Sequence, residues 1–361
     1  MLEMLARRTC SWDGGSGRPI APYADVHRRP QGPGDARPTA MQIVDDQNLI
    51  NKWADKAVLI TGGSSGIGVE TARAMHATGA RVFITTRNVI QAKEVCDDII
   101  RTSPSNRPIE IIYMDLSSLV SVRDAAAEFL SKSTTLNILI NNAGVMGAPF
   151  SKTVDGFEAH FAVNHLSHFV LTKLLLPTLI KSSSPSFGSR VVNVSSMGHH
   201  HSPGGFSNPK VWQDINFEET MYDARIAYGR SKTANILHAN QIERLYGHDQ
   251  AHPVHAFSLH PGGITTKLWR YYGASPEETY KNGIWKSPEQ GAATTVWCAV
   301  AAVWEGKGGR YCEDCQESYP DQPLRKLEDR GYAPWAKDKV AEERLWTESE
   351  RMVRGVLCNK F

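Results

Sequence analysis

From Lys56 onward, short apolar runs alternate with amphipathic stretches. The runs are Ala57–Ile60, Val82–Thr85, Ile109–Tyr113, Leu136–Ile140, Arg190–Val194 and Val254–Leu259. Each is rich in Val and Ile and continuous, not alternating, which is how strands buried on both faces of a parallel sheet read. The intervening spacing is helical: Ile67, Thr71, Ala74 and Met75 share one face, and Val122, Ala125, Ala126 and Phe129 share another. Repeated βα units joined by right-handed crossovers predict an α/β fold, a single Rossmann-type doubly wound parallel sheet flanked by helices. With a further strand near Gly309–Cys312 the expected count is about seven.

Residues 1–40 show neither period, and ten of them are Gly or Pro. Such a stretch buries too little apolar surface to offset its ordering entropy. The expected organisation is therefore a disordered or non-core extension over 1–45, a single α/β domain over 46–330, and a helical tail over 331–361. Arg7, Arg8, Arg28 and Arg29 suggest a transit peptide, but Glu3, Asp13, Asp25 and Asp35 spoil its acid-poor signature. A flexible tail, or translation starting at Met41, accounts better for the segment.

Composition narrows the class. Lys+Arg 40 against Asp+Glu 38 leaves a net charge of +2, too little to steer the chain to nucleic acid or an anionic membrane. Six cysteines are too few for a disulfide scaffold in 361 residues, so a reducing compartment, the cytoplasm, is expected. The most apolar stretch, Leu171 to Ile180, carries Lys173 and Pro177 and falls far short of the roughly 20 residues of a spanning helix.

Directly after the first run comes Thr61-Gly62-Gly63-Ser64-Ser65-Gly66-Ile67-Gly68, then a helical pattern. Glycine lets the backbone turn tightly and approach a pyrophosphate, which the following helix greets with free N–H groups. The spacing TGxxxGxG departs from GxGxxG. It resembles that of the short-chain dehydrogenase/reductase family, and further blocks match in order. They are Asp115-Leu116, Asn141-Asn142-Ala143-Gly144, Asn164, Ser195-Ser196, Tyr228-Gly229-Arg230-Ser231-Lys232, and Pro261-Gly262 with Ile264 and Thr266. Asp214-Ile215-Asn216-Phe217 and the run AYGRSKTANILHA make the chain similar to the retinol-dehydrogenase and WW-domain-oxidoreductase branch.

The resemblance implies that Gly62, Ser64, Ser65, Gly66, Ile67 and Gly68 form the phosphate loop. It also implies that Asp115 and Leu116 line the adenine pocket, and that Asn142, Ala143, Gly144, Pro261, Gly262, Ile264 and Thr266 contact the cofactor. Asp115 has a second reading as a helix N-cap ahead of Ser117 and Ser118. For the cofactor's identity the residues speak directly. Eighteen positions past Gly68, where an acid takes the ribose 2′-OH of NAD, stand Thr86 and Arg87. A guanidinium pairs with a 2′-phosphate that a carboxylate repels, so NADP(H) is expected over NAD(H). The alternative is that Arg87 stacks on adenine and leaves dual use.

Tyr228 and Lys232 are four apart in a helical pattern and project from one face. A nearby ammonium favours the phenolate, so Tyr228 is expected to ionise more readily and to exchange a proton with a substrate oxygen. By resemblance Lys232 also binds the nicotinamide ribose, Ser196 polarises the substrate oxygen, and the backbone of Asn164 holds a relay water. Ser195 is the competitor for the serine role, since adjacent residues at a strand end face opposite sides.

No metal site is expected. His199, His200 and His201 are consecutive and cannot converge on one ion, so they read as a polar loop beside the entrance. Cys312 and Cys315 have no second pair. The insertion GHHHSPGGFSNPKVWQDINFEE is expected to build one wall of a substrate pocket. Lys267, Leu268, Trp269, Arg270, Tyr271, Tyr272, Tyr280, Ile284 and Trp285 are expected to build the other. So many aromatics suit a bulky apolar alcohol, ketone or aldehyde, or else ordinary packing of a surface helix. A non-catalytic cofactor sensor is the competing class, but it predicts loss of the Tyr or the Lys, and both are present. Members of the resembling family are often dimers or tetramers, so self-association is an expectation by analogy.

Overall fold

The apolar runs become strands β1 (Ala57–Thr61), β2 (Arg81–Thr86), β3 (Glu110–Tyr113), β4 (Ile138–Asn141), β5 (Ser189–Val194), β6 (Val254–His260) and β7 (Arg310–Glu313). The computed structural model describes residues 19–272, 283–320 and 330–357. Among these, β1–β7 are parallel in one sheet of order β3-β2-β1-β4-β5-β6-β7-β8. The eighth strand, β8 (Gln316–Glu317), was not expected and runs antiparallel to β7. Its two-residue turn places Asp314 and Cys315 at φ 54° and 51°, the left-handed geometry a tight hairpin needs. Asp-Cys lacks the Asn-Gly signal of such turns; here Thr294 Oγ1 holds the Cys315 N–H at 3.1 Å.

Two apolar layers sandwich the sheet. One face packs α2 (Ile67–Ala77), α3 (Val89–Thr102) and α7 (Ala293–Val300). The other packs α4 (Leu119–Lys132), α5 (Ser167–Ser182) and α6 (Ala224–Tyr246). The faces read from sequence are the buried ones: Thr71, Ala74 and Met75 in α2, and Val122, Ala125, Ala126 and Phe129 in α4. No helix among the described residues is long and apolar enough to cross a membrane.

Both ends of the chain depart from expectation. Helix α1 (Ala40–Asp46), N-capped by Thr39, buries Ala40, Ile43 and Val44 in the first layer. Ahead of it the Ile20 carbonyl accepts the Glu317 N–H at 2.7 Å and so covers edge strand β8. Arg37 is 4% exposed. Residues 19–45 are therefore not a loose extension: α1 adds an apolar face to the first layer, and ahead of it hydrogen bonds reach distant parts of the chain. Residues 1–18 lie outside the described residues. The C-terminal segment is helical as expected, yet it is no tail. In α8 (Lys339–Leu357), Leu345, Val353 and Leu357 join the second layer, and the His165 ring meets Ser349 Oγ at 2.9 Å.

Removing residues 1–39 is accordingly expected to lower the melting temperature by about 5 °C or more. Several buried polar contacts of about 1 kcal/mol each are lost, and each kcal/mol moves Tm by about 2–4 °C in a chain this size. Differential scanning calorimetry of both proteins checks it, and an unchanged Tm refutes it.

Candidate active site

The sheet order reverses at β1, so the loops leaving β1 and β4 diverge and open a crevice at the carboxyl ends of the strands. A cavity of about 1190 Å³ occupies it. Of the catalytic and cofactor-contacting residues expected from sequence, only Gly68 and Asn164 do not line this cavity.

The phosphate loop is built for close approach. Gly62 and Gly66 have φ +66° and +56°, which glycine alone adopts without strain. A Cβ on Gly68 would lie 2.2 Å from the Gly62 carbonyl, and one on Gly62 would lie 2.9 Å from the Ala143 Cβ. The two crevice loops are locked together by Thr61. Its Oγ1 accepts the N–H groups of Asn142 (2.9 Å) and Ala143 (3.0 Å), while Asn142 Nδ2 donates to the Thr61 carbonyl at 2.9 Å. Having accepted twice, the hydroxyl has one proton left for His168 Nε2, 2.9 Å away. That leaves a hydrogen on Nδ1 to donate to the Asn164 carbonyl at 3.0 Å. Burial lowers the His168 pKa to about 4, so the ring is neutral, as this arrangement requires.

Asn164 sits in a π-helical turn, Ala162–Leu166, a bulge common at functional sites. Its Oδ1 accepts the Val145 N–H (2.8 Å) and its Nδ2 donates to the Val145 carbonyl (3.0 Å) and to Ser231 Oγ (2.9 Å). The side chain thus pins the loop after β4. Gly144 must lack a side chain, because a Cβ there would lie 3.0 Å from Asn164 Oδ1 and 3.5 Å from Lys232 Nζ.

The two serines separate cleanly. Ser195 Oγ donates inward to the Lys232 carbonyl at 2.7 Å. Ser196 Oγ accepts the Gly198 N–H at 3.0 Å and stands beside Tyr228, whose ionisation it favours. A Cβ on Gly198 would strike the Tyr228 ring at 2.7 Å. Lys232 Nζ donates to the Val194 carbonyl at 2.9 Å and lies 5.5 Å from the centre of the Tyr228 ring. The expected electrostatics are overturned. Burial pushes Tyr228 up to about 12, against the lowering effect of Ser196, and pulls Lys232 down to about 7. Desolvation outweighs the attraction an ammonium offers to a phenolate, so the phenol holds its proton firmly.

At the nucleotide end, Arg87 is exposed on the cavity rim. Thr86 is turned away to Ser64 Oγ at 2.9 Å. Asp115 Oδ1 accepts both Ser117 N–H (2.9 Å) and Ser117 Oγ (2.8 Å). The α4 N-cap is Ser118, not Asp115. Thr266 caps the turn Lys267–Trp269 and sets its methyl against Gly66.

Other expectations change. His199 is fully buried, not part of a polar loop. Its Nδ1 donates to the Ser196 carbonyl at 2.7 Å and its Nε2 accepts the Ala333 N–H at 3.0 Å, tying the serine loop to the C-terminal segment. Of the insertion after Ser196, only Met197, Gly198 and His201 reach the cavity; Phe206 and Val211 pack into the second layer. The opposite wall holds Lys267, Leu268, Trp269, Arg270, Tyr272, Ile284 and Trp285, but Tyr271 is exposed under Arg270. Tyr280 lies outside the described residues. Sequence reasoning missed His168, His199 and the buried Glu158–His160–Tyr222 cluster beside Tyr228. Nothing in a lone histidine's flanking residues announces its distant partner.

The family profile described as short chain dehydrogenase matches residues 56–208. A short-chain dehydrogenase/reductase, prx1, of Penicillium roqueforti is 45% identical over 336 residues, covering 92% of this chain and 94% of that one. Retinol dehydrogenase 12 of Mus musculus is 38% identical over 305 residues, covering 81% and 85%. A solved Pseudomonas aeruginosa RhlG/NADP active-site complex superposes with TM-score 0.57 at 26% identity, covering 73% of this chain and 96% of that one.

Proposed function

The chain belongs to the short-chain dehydrogenase/reductase family, and on that premise we propose that it is an NADP(H)-dependent oxidoreductase interconverting an alcohol and a ketone or aldehyde on a bulky, apolar substrate. The observation that carries this reading is Tyr228, packed on Gly198 of the Ser196 loop with Lys232 buried beside it, at the mouth of a glycine-lined crevice.

The crevice fits a dinucleotide. A Cβ on Gly62, Gly198 or Gly262 would come within 3.0 Å of a neighbouring atom, and the buried Asn142 Oδ1 is an acceptor with no partner among the described residues. The residues that would hold the cofactor are the 62–67 loop, Arg87, Asp115, Leu116, Asn142–Gly144, Lys232 and the 261–266 segment, with Gly68 shaping the loop. When bound, a nicotinamide cofactor supplies or accepts the hydride.

The chain's own residues handle the proton. Tyr228, protonated at neutral pH, donates to a substrate carbonyl oxygen in reduction; in oxidation it takes the alcohol's proton as it passes its own on toward Lys232. Ser196, itself steadied by Gly198 and His199, hydrogen-bonds the same oxygen. Lys232 lies against Gly144 and the Asn164 side chain, from where it returns the proton to Tyr228. The Asn164 carbonyl, oriented by His168, is the site for a relay water. Trp269, Tyr272 and Trp285 give the substrate end an apolar aromatic wall. The four described cysteines are free and buried, which suits a reducing compartment such as the cytoplasm.

Assaying the purified protein with NADPH against bulky aldehydes and ketones, retinal among them, tests the reading. Turnover of bulky carbonyls in preference to small ones is expected, and no turnover of any in either direction overturns it. Arg87 carries the choice of cofactor. NADPH is expected to bind more tightly than NADH, and Arg87→Asp to erase the difference. A charge-assisted contact of about 1.5–3 kcal/mol corresponds to roughly 10- to 150-fold in affinity. Fluorescence titration of both cofactors on both proteins decides it; equal affinities in the wild type would remove Arg87 from this role.

A further inference from the structure

The segment ahead of the first strand reaches the substrate end of the cavity. Arg37 spreads its guanidinium over backbone oxygens far along the chain. Nη1 donates to the Ile284 carbonyl (2.8 Å), and Nη2 is shared among those of Trp285 (2.6 Å), Gly32 (3.1 Å) and Gly283 (3.3 Å). Nε donates to Asp35 Oδ1 at 2.8 Å, which fixes the plane of the fork. Gln290 locks the same strand of chain from the other side. Its Nε2 donates to the Arg37 carbonyl (3.1 Å) and its Oε1 accepts the Gly34 N–H (3.0 Å). The fit is close: Gly283, at φ +68°, would bring a Cβ to 2.8 Å from the Pro30 carbonyl.

The segment so held is one edge of the aromatic wall. Its far side is pinned by Lys286 N–H donating to the Gly263 carbonyl at 2.9 Å. From it the wall runs inward: Trp285 meets Trp269 edge-on at 5.7 Å, and Trp269 meets Tyr272 at 5.3 Å. The Tyr272 ring lies against Gly147, where a Cβ would come within 2.4 Å. Gly147 follows Asn142–Gly144 in the loop after β4. A continuous line of contacts therefore leads from Arg37 to the neighbourhood of Tyr228.

We propose that residues 19–39 are a built-in part of the substrate site, in which Arg37 is a positioning residue that holds the 283–285 backbone and thereby sets affinity for bulky apolar substrates. Arg37 does not touch the reacting atoms. It acts through the carbonyl oxygens of Gly283, Ile284 and Trp285 that it holds, so losing it frees the wall to shift. The inference rests on the reading of this cavity as a site for a bulky apolar molecule, and its test is read by binding so that it does not depend on turnover.

The full chain is compared with Arg37→Gln and Arg37→Lys. Two readouts are taken on NADP+-saturated protein: the Kd of 2-naphthol, from quenching of tryptophan emission, and amide hydrogen exchange over 283–286. Arg37→Gln is expected to weaken 2-naphthol by about tenfold or more, as displacement of positioning groups by an ångström does, and to speed exchange. Arg37→Lys should recover part of both, and the NADPH Kd should stay within about twofold. In turnover of a bulky aldehyde the change should fall on KM more than on kcat. Three results overturn the proposal: a wild type that does not bind 2-naphthol, an unchanged naphthol affinity despite faster exchange, or naphthol and NADPH weakening together, which marks general loosening. Absence of turnover in the wild type, with these binding differences intact, would instead remove the oxidoreductase reading.

Discussion

Tyr228→Phe is expected to lower turnover by about 10²- to 10⁴-fold, the usual contribution of a positioned acid–base group, while leaving the fold in place. The substitution deletes one hydroxyl from a ring that is edge-on to His160 at 6.2 Å and closely packed on Gly198. Ser196 Oγ keeps its bond from the Gly198 N–H, so no buried group is stranded and stability should change by no more than about 1 kcal/mol. Cofactor affinity should change little, because the loop, Arg87 and the 261–266 segment are untouched. Steady-state kinetics, thermal unfolding and a cofactor titration of the two proteins check this together. Retention of more than about a tenth of wild-type activity, well above what loss of a general acid allows, would move the proton donor elsewhere.

Lys232→Met is expected to do two opposite things, and the second depends on pH. Activity should fall by at least about 10²-fold, since the group that resupplies Tyr228 is gone. Stability should rise. Burial lowers the lysine's pKa from its ordinary 10.5 to about 7 in the folded chain, so between these values the unfolded chain binds more protons than the folded one. Wild-type stability therefore increases as pH rises from 7 to about 10.5. Below pH 7 the folded protein carries the whole cost of a buried ammonium, about 3–5 kcal/mol by this linkage. Methionine fills a similar volume without it. The Val194 carbonyl still accepts Asn235 Nδ2 at 3.2 Å, so the substitution leaves no orphan there. A net gain of about 1–3 kcal/mol at pH 6, shrinking steadily by pH 9, is the expected result. Denaturant unfolding of both cofactor-free proteins at the two values measures it. Lys337, also lowered by burial, to about 8, cancels in the difference because both proteins contain it. A pH-independent difference between the two would show that Lys232 is not held below its ordinary range.

Much of this protein is written locally. Most of the parallel strands are legible because a strand covered on both faces reads as a continuous apolar run; β7, Arg-Tyr-Cys-Glu, carries no Val or Ile. The phosphate loop is legible because Gly62 and Gly66 turn at positive φ and a Cβ on Gly68 would lie 2.2 Å from the Gly62 carbonyl, which only glycine tolerates. Tyr228 and Lys232 share a helix, so their common face follows from helical geometry alone. What the sequence does not announce is set by partners far away along the chain. The hairpin that makes β8 turns through Asp314 and Cys315 because Thr294 holds it. His168 orients Asn164 only because Thr61, 107 positions earlier, has spent its lone pairs on Asn142 and Ala143. Residues 19–39 look unfoldable by composition, since they have no apolar face. They are ordered because the carbonyls of 283–285 accept from Arg37, and a guanidinium's five donors need no apolar period to be satisfied. The proton affinity of Tyr228 departs from expectation for the same reason. Spacing tells which charges are neighbours, but how much water each one loses is decided by everything folded around it.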